Sequence, residues 1–186
     1  MESIWENNIK KIKFDSLNGN TNTDVLIIGG GITGILCAYK LKTAGVDCML
    51  VEAKEICCGI TKNTTAKITF AHGLIYDKLI KRFGFKKARL YLDAQLRACK
   101  EYAELCKDID CDYEVSDSYV YSLQSKKNIE KEISALKRLN INAEFSNARE
   151  LPFKVAGAIK IKDQAQFNPL KFLYTIAKNL VYLEKK

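Results

Sequence analysis

Gly29, Gly31 and Gly34 follow a short apolar run and open a helical pattern, so their spacing is G-x-G-x-x-G. At that spacing glycine suits a diphosphate. Gly29 permits a tight turn out of a strand, Gly31 lets the backbone come within hydrogen-bonding distance of an anion, and Gly34 lets the helix pack closely on the strand. Gly31, Ile32, Thr33 and Gly34 carry the first N–H groups of that helix, which lack intrahelical acceptors and lie at the positive end of its dipole. Such a turn holds a diphosphate without a basic side chain. Glu52 stands 18 residues after Gly34, at the end of a second apolar run. There a carboxylate accepts hydrogen bonds from both hydroxyls of an adenine ribose and repels a 2′-phosphate. The pattern predicts an adenine dinucleotide site that disfavours NADP and leaves FAD and NAD open.

The elements that must position these residues follow from periodicity. Residues 24–28 and 47–52 read as uninterrupted apolar strands, and residues 31–44 as a helix ended by Gly45. Two such strands around a helix predict a parallel β-α-β unit covered on both faces. Residues 1–23 form a leader with one short helix, finishing in the turn-rich "LNGNTNT". Residues 53–74 have no period and are too many for an idle connection, which marks them as a functional loop. Residues 75–83 and 86–107 read as a short and a long helix, the latter with Leu92, Leu96, Cys99, Ala103 and Cys106 on one face. "CDYEVSDSYVYSLQ" alternates, breaks at 116–118 and alternates again, which predicts a hairpin or two consecutive strands. A helix over 128–139 and strands over 141–145 and 158–162 precede a last helix, capped by Asn168 with Pro169 in its first turn. The fold class expected is α/β, a Rossmann-like β-α-β unit followed by an α+β part.

Composition narrows the function classes. With 47% hydrophobic and 28% charged residues the chain should fold as a globular protein. The net charge of +8 comes from lysines interleaved with acids, as in "KKNIEKEISALKR", which reads as a solvated surface and not a nucleic-acid partner. Seven cysteines with no C-x-x-C pair, and His72 as the single histidine, make a poor ligand supply for zinc, so no metal is expected. Reduced thiols, no apolar run near the roughly 18–20 residues of a membrane span, and no signal peptide point to the cytoplasm. Cys57 and Cys58 are expected to pack the loop, because vicinal disulfides are strained.

The loop after Glu52, "AKEICCGITKNTTAKITFAHGLIYDKL", resembles the segment that follows the ribose-binding Glu in FAD-dependent oxidoreductases of the D-amino-acid-oxidase-like family, which includes glycine and sarcosine oxidases. "TKNTTAK" and "HGLIYDKL" are similar to a bacterial subgroup whose members often carry a C-terminal Rieske domain. "DQAQFNPLKFLYTIAKNL" resembles that family's return from the substrate domain to the FAD domain. The resemblance runs from Asp24 to about Leu180.

The resemblance implies FAD as cofactor and a small amine or amino acid as substrate, oxidised by hydride transfer to the flavin. Gly29, Gly31, Ile32, Thr33 and Gly34 would face the pyrophosphate, Glu52 the adenine ribose, and Ala53 and Lys54 the adenosine end. Thr61, Thr64, Thr65, Ala66 and Lys67 would line the stretch from pyrophosphate to flavin. The implied domains are a leader (1–23), an FAD-binding part (24–107), a partial substrate domain (108–162) and a return helix (163–186). The family's later sheet strands and C-terminal glycine-rich contact have no match, so the chain is expected to be the N-terminal portion of a larger enzyme, inactive alone and prone to associate through uncovered surface. His72 is expected at the surface or behind the site, not as a general base or flavin attachment point, and no catalytic residue is identifiable. An NAD-linked dehydrogenase module and a non-catalytic nucleotide-binding module remain alternatives.

Overall fold

A computed structural model describes residues 3–7, 9–149 and 151–183. In chain order the elements are β1 (Val25–Ile28), α1 (Ile32–Thr43), β2 (Cys48–Val51), β3 (Lys67–Ile68), α2 (Tyr76–Cys106), β4 (Glu114–Ser122), α3 (Lys126–Arg138), β5 (Glu144–Ser146), β6 (Gly157–Gln166) and α4 (Pro169–Leu183), with short 3-10 turns at Ile4–Glu6 and Ile60–Asn63. No helix among the described residues is long and apolar enough to cross a membrane. The chain packs as two units, one of Met1–Ala66, Asp108–Asp112 and Phe167–Lys186, the other of Lys67–Lys107 and Tyr113–Gln166.

In the first unit β1 and β2 pair in parallel from Val25↔Cys48 to Ile28↔Val51, as the continuous apolar runs require. The Gly29 N–H extends the ladder by donating to the Val51 carbonyl at 2.8 Å. α1 buries Ile35 and Ala38. α4 packs against α1 and buries Leu170, Phe172, Leu173, Ile176 and Ala177. Asn168 Oδ1 accepts from the Leu170 and Lys171 N–H groups at 3.1 and 3.2 Å, the N-cap expected before Pro169. Residues 108–112 are tied to α4 through Asn168 N–H to the Cys111 carbonyl (2.7 Å) and Lys171 Nζ to Asp112 Oδ1 (2.7 Å). The opposite face of β1 is bare: Leu26 is 53% and Ile28 82% exposed. The cover expected on both faces is therefore present on one.

The second unit is a sheet built around β6. Its residues Gly157–Gln166 pair antiparallel with β4 along one edge, while β5 and β3 share the other. Tyr76, Leu92, Ile129, Ile133, Leu136, Leu139, Ile159 and Ile161 form the core between the sheet and the helices α2 and α3. Instead of a hairpin, residues 114–122 form one strand whose register shifts between Ser116 and Ser118, so the serines that look like a turn mark a bulge. The two helices read from 75–83 and 86–107 are joined into α2 through a kink at Gly84, whose φ of 81° glycine tolerates. The strand read at 158–162 extends to Gly157–Gln166, and the one read at 141–145 shifts to Glu144–Ser146. By packing, α2 joins the second unit while 108–112 joins the first.

Glu132 is the polar anchor of this unit. It is 1% exposed, and its carboxylate accepts from the backbone N–H groups of Ile75 (2.8 Å), Tyr76 (2.7 Å) and Asp77 (2.9 Å), capping α2 from α3. Glu132→Ala leaves those donors buried without an acceptor and is expected to cost about 2–4 kcal/mol of unfolding free energy in urea, followed by circular dichroism. A loss below about 0.5 kcal/mol, the range of an ordinary surface substitution, would contradict this role.

Candidate cofactor site

The glycine turn is clamped to the loop after β2. The Gly30 N–H donates to Glu52 Oε2 at 2.8 Å, and the Gly30 carbonyl accepts from the Cys57 N–H at 2.8 Å. Glu52 Oε1 accepts from the Lys54 N–H at 3.0 Å. These backbone donors, Gly30 first, hold the Glu52 carboxyl below its ordinary range, so it is an anion at neutral pH. Gly29 has φ 111°, open only to glycine. A Cβ on Gly30 would lie 2.7 Å from Ile56 Cγ2 and 3.1 Å from Glu52 Cβ, and one on Gly34 would lie 2.0 Å from the Gly29 carbonyl oxygen. Gly30 is thus as constrained as the fingerprint glycines, and the spacing rule passes over it.

Thr61 joins the loop to the start of α1. Its Oγ1 accepts from the Ile32 N–H at 3.2 Å and lies 3.3 Å from where a Gly31 Cβ would stand. The side chain is buried. Thr64 Oγ1 accepts from the Ala66 N–H at 3.2 Å, and Ala66 takes a left-handed φ of 56°. Cys57, at the other end of the loop, has φ 60°. Two non-glycine residues in that conformation flanking one loop imply that surrounding contacts hold the loop shape.

The structure brings Gly29, Gly31, Ile32, Gly34, Glu52 and Thr61 together at one turn. Ala53, Lys54, Thr33 and Thr65 are exposed, and Lys67 is an exposed residue that opens β3 in the second unit. A cavity of about 610 Å³ is bounded by β2, leader residues Ile12 to Leu17, Ile35, Glu52, Lys54 and Ala177. His72 is exposed, with its Nε2 3.1 Å from Gln95 Oε1. Cys57 is 3% exposed and burial pushes its thiol up to about 12, so it packs the loop as an inert group. None of the seven cysteines forms a disulfide.

The residues present fit a dinucleotide. A glycine turn that side chains would fill, first-turn N–H groups at a helix start, and a carboxylate with acceptor capacity beyond its bonds to Gly30 and Lys54 form a cradle with an anion end and a diol end. The leader's part escapes sequence reasoning: Trp5 Nε1 donates to the Thr64 carbonyl at 2.9 Å, and Lys62 Nζ pairs with Glu6 at 3.2 Å. Trp5 and Glu6 lie far from the motif in sequence, and no local pattern marks them. Gly34→Ala is expected to lower stability by about 1–3 kcal/mol through overpacking against backbone, whereas Gly31→Ala, whose methyl would meet only the Thr61 hydroxyl at 3.3 Å, costs less and keeps the fold. Equal melting midpoints for the two variants would refute the close helix-on-turn packing.

Comparisons with known proteins agree with this geometry. A family model described as "FAD dependent oxidoreductase" (DAO) matches residues 24–183. The chain is 35% identical over 184 residues to "Putative Rieske 2Fe-2S iron-sulfur protein YhfW" of Bacillus subtilis (strain 168), covering 97% of this chain and 36% of that protein. It is 28% identical over 153 residues to gamma-glutamylputrescine oxidoreductase of Escherichia coli (strain K12), covering 81% of this chain and 34% of that protein. The chain thus spans about a third of the length of these relatives. Among solved structures, glycine oxidase from Bacillus cereus ATCC 14579 superposes with a TM-score of 0.61 at 19% identity, over 87% of this chain and 44% of that one, which shows a shared fold. The clamped glycine turn, the carboxylate ending β2 and the match over residues 24–183 together show that the chain belongs to the DAO family of FAD-dependent oxidoreductases.

Proposed function

We propose that this chain is the FAD-binding part of an oxidoreductase that oxidises an amine or amino acid. The observation that carries the proposal is the Glu52 carboxylate, anionic and aimed at the glycine turn from the end of β2. The amine class is supported by the relative named gamma-glutamylputrescine oxidoreductase. FAD, when bound, supplies a two-electron acceptor for the hydride that leaves the carbon next to a substrate amine.

The chain's own residues bind and orient. The N–H groups of Gly31, Thr33 and Gly34 hold the pyrophosphate at the start of α1, where Ile32 gives its N–H to Thr61, and the tight turn at Gly29 admits it. Thr61 offers a hydroxyl beside that anion. Glu52 accepts from the adenine-ribose hydroxyls, and Ala53 and Lys54 lie at the adenosine end. Thr64, Thr65, Ala66 and Lys67 continue toward the flavin. The second unit, with its β6-centred sheet, supplies part of the substrate domain. A reducing, cytoplasmic compartment suits seven cysteines that form no disulfide. The chain is expected to self-associate, because Leu26 and Ile28 leave an apolar strip in water.

Glu52→Arg tests the site directly. FAD affinity should fall roughly 10- to 100-fold, since two hydrogen bonds to an anion are lost and a cation faces the ribose, and unchanged affinity by flavin fluorescence titration would sink the assignment. NAD binding with no FAD binding would favour the dehydrogenase alternative. The pH dependence has a defined sign. Because the folded carboxyl lies below its ordinary value of 4.5, its contribution to stability is present above that value and is lost as pH falls through the depressed folded one. Glu52→Gln should therefore lower the melting midpoint at neutral pH, and the difference from the parent should vanish in acid.

A further inference from the structure

We infer that the N-terminal leader is a clasp that positions the cofactor site, with Trp5 and Glu6 as its positioning residues. The leader reaches the site at three points. Trp5 Nε1 donates to the Thr64 carbonyl at 2.9 Å, the Glu6 carboxylate receives Lys62 Nζ on both oxygens at 3.2 Å, and Ser3 Oγ donates to the Lys62 carbonyl. A capping box, in which Ser3 and Glu6 each accept from the other's end of the 3-10 turn, preorganises these groups. Farther along, Lys11 Nζ pairs with Glu55 Oε2 at 3.0 Å, on the segment that clamps Gly30. The leader thus grips both stretches that meet the glycine turn.

What the clasp holds is specific. The Ile60–Asn63 turn lies between its anchor points and carries Thr61, whose hydroxyl accepts from the Ile32 N–H at the start of α1. That hydroxyl lies where the diphosphate is placed by the proposed function, on which this inference rests. With the clasp closed, Thr61 has one position and the first turn of α1 one partner. With it open, residues 60–64 lose their external anchors, and bound FAD should leave faster.

Trp5→Phe keeps the ring and removes the N–H, and the pair Glu6→Lys and Lys62→Glu reverses the ion pair, singly and together. Three readouts apply: amide hydrogen exchange of residues 60–64 and Ile32 in the chain without FAD, emission of Trp5, which is the single tryptophan, and the release rate of added FAD. Trp5→Phe and each single reversal should speed exchange at 60–64 and FAD release by roughly 3- to 10-fold, the worth of one such bond. Exchange at Leu136 and Leu139 in the other unit should stay unchanged. Glu6→Lys should shift Trp5 emission to the red, and the double reversal should restore both rate and spectrum. Unchanged exchange at 60–64 in every variant overturns the clasp, as does faster exchange with unaltered FAD release. If the parent binds no FAD, or Gly31→Ala leaves FAD affinity intact, the cofactor assignment fails instead, and exchange at 60–64 alone decides whether the clasp exists.

Discussion

Everything at the site depends on the backbone of one residue, Gly30. The Gly30 N–H is held by the Glu52 carboxylate and its carbonyl by the Cys57 N–H, each at 2.8 Å. These two bonds lock the glycine turn to the loop that leaves β2, so the groups suited to a diphosphate and the group suited to a ribose move together. The lock works only with glycine, because a methyl group would run into Ile56. It also keeps Glu52 ionised, since a carboxylate that accepts from two backbone donors gains from its charge. Affinity for a dinucleotide depends on having both ends preset, because each freedom removed before binding need not be lost on binding.

Each packing unit has a charged anchor of the same physical kind. In the first, a carboxylate from the end of a strand holds a glycine turn; in the second, Glu132 from α3 holds the first turn of α2. In both, an acidic side chain meets N–H groups that secondary structure leaves without acceptors. The difference is exposure. Glu132 is sealed in the core and serves stability, whereas Glu52 remains partly open and retains acceptor capacity for a ligand. Family membership fits that contrast, since a cofactor site needs a polar group that folding has not fully satisfied.

Features written in adjacent residues were legible in the sequence. The β-α-β unit, the glycine spacing, Glu52 at the strand end and the Asn168 cap with Pro169 all follow from local backbone rules, and their places in the structure agree within a residue or two. Residues 114–122 misled because Ser116 to Ser118 carry the composition of a turn, while the long partner β6 accommodates them as a bulge. Gly30 was missed because its constraint is a contact with Ile56, twenty-six positions away. The leader read as a bare preface because Trp5 and Glu6 find Thr64 and Lys62 only after the chain has folded.

The sequence by itself determined that a helix begins at a glycine turn between two parallel strands, and that a carboxylate ends the second, because turn conformation, helix start and apolar periodicity are properties of neighbouring residues. Tertiary structure alone decided which groups meet there. Thr61 at the helix start, Cys57 on Gly30, the leader on the loop and the bare face of β1 at Leu26 and Ile28 are relations between segments that the order of residues does not encode locally.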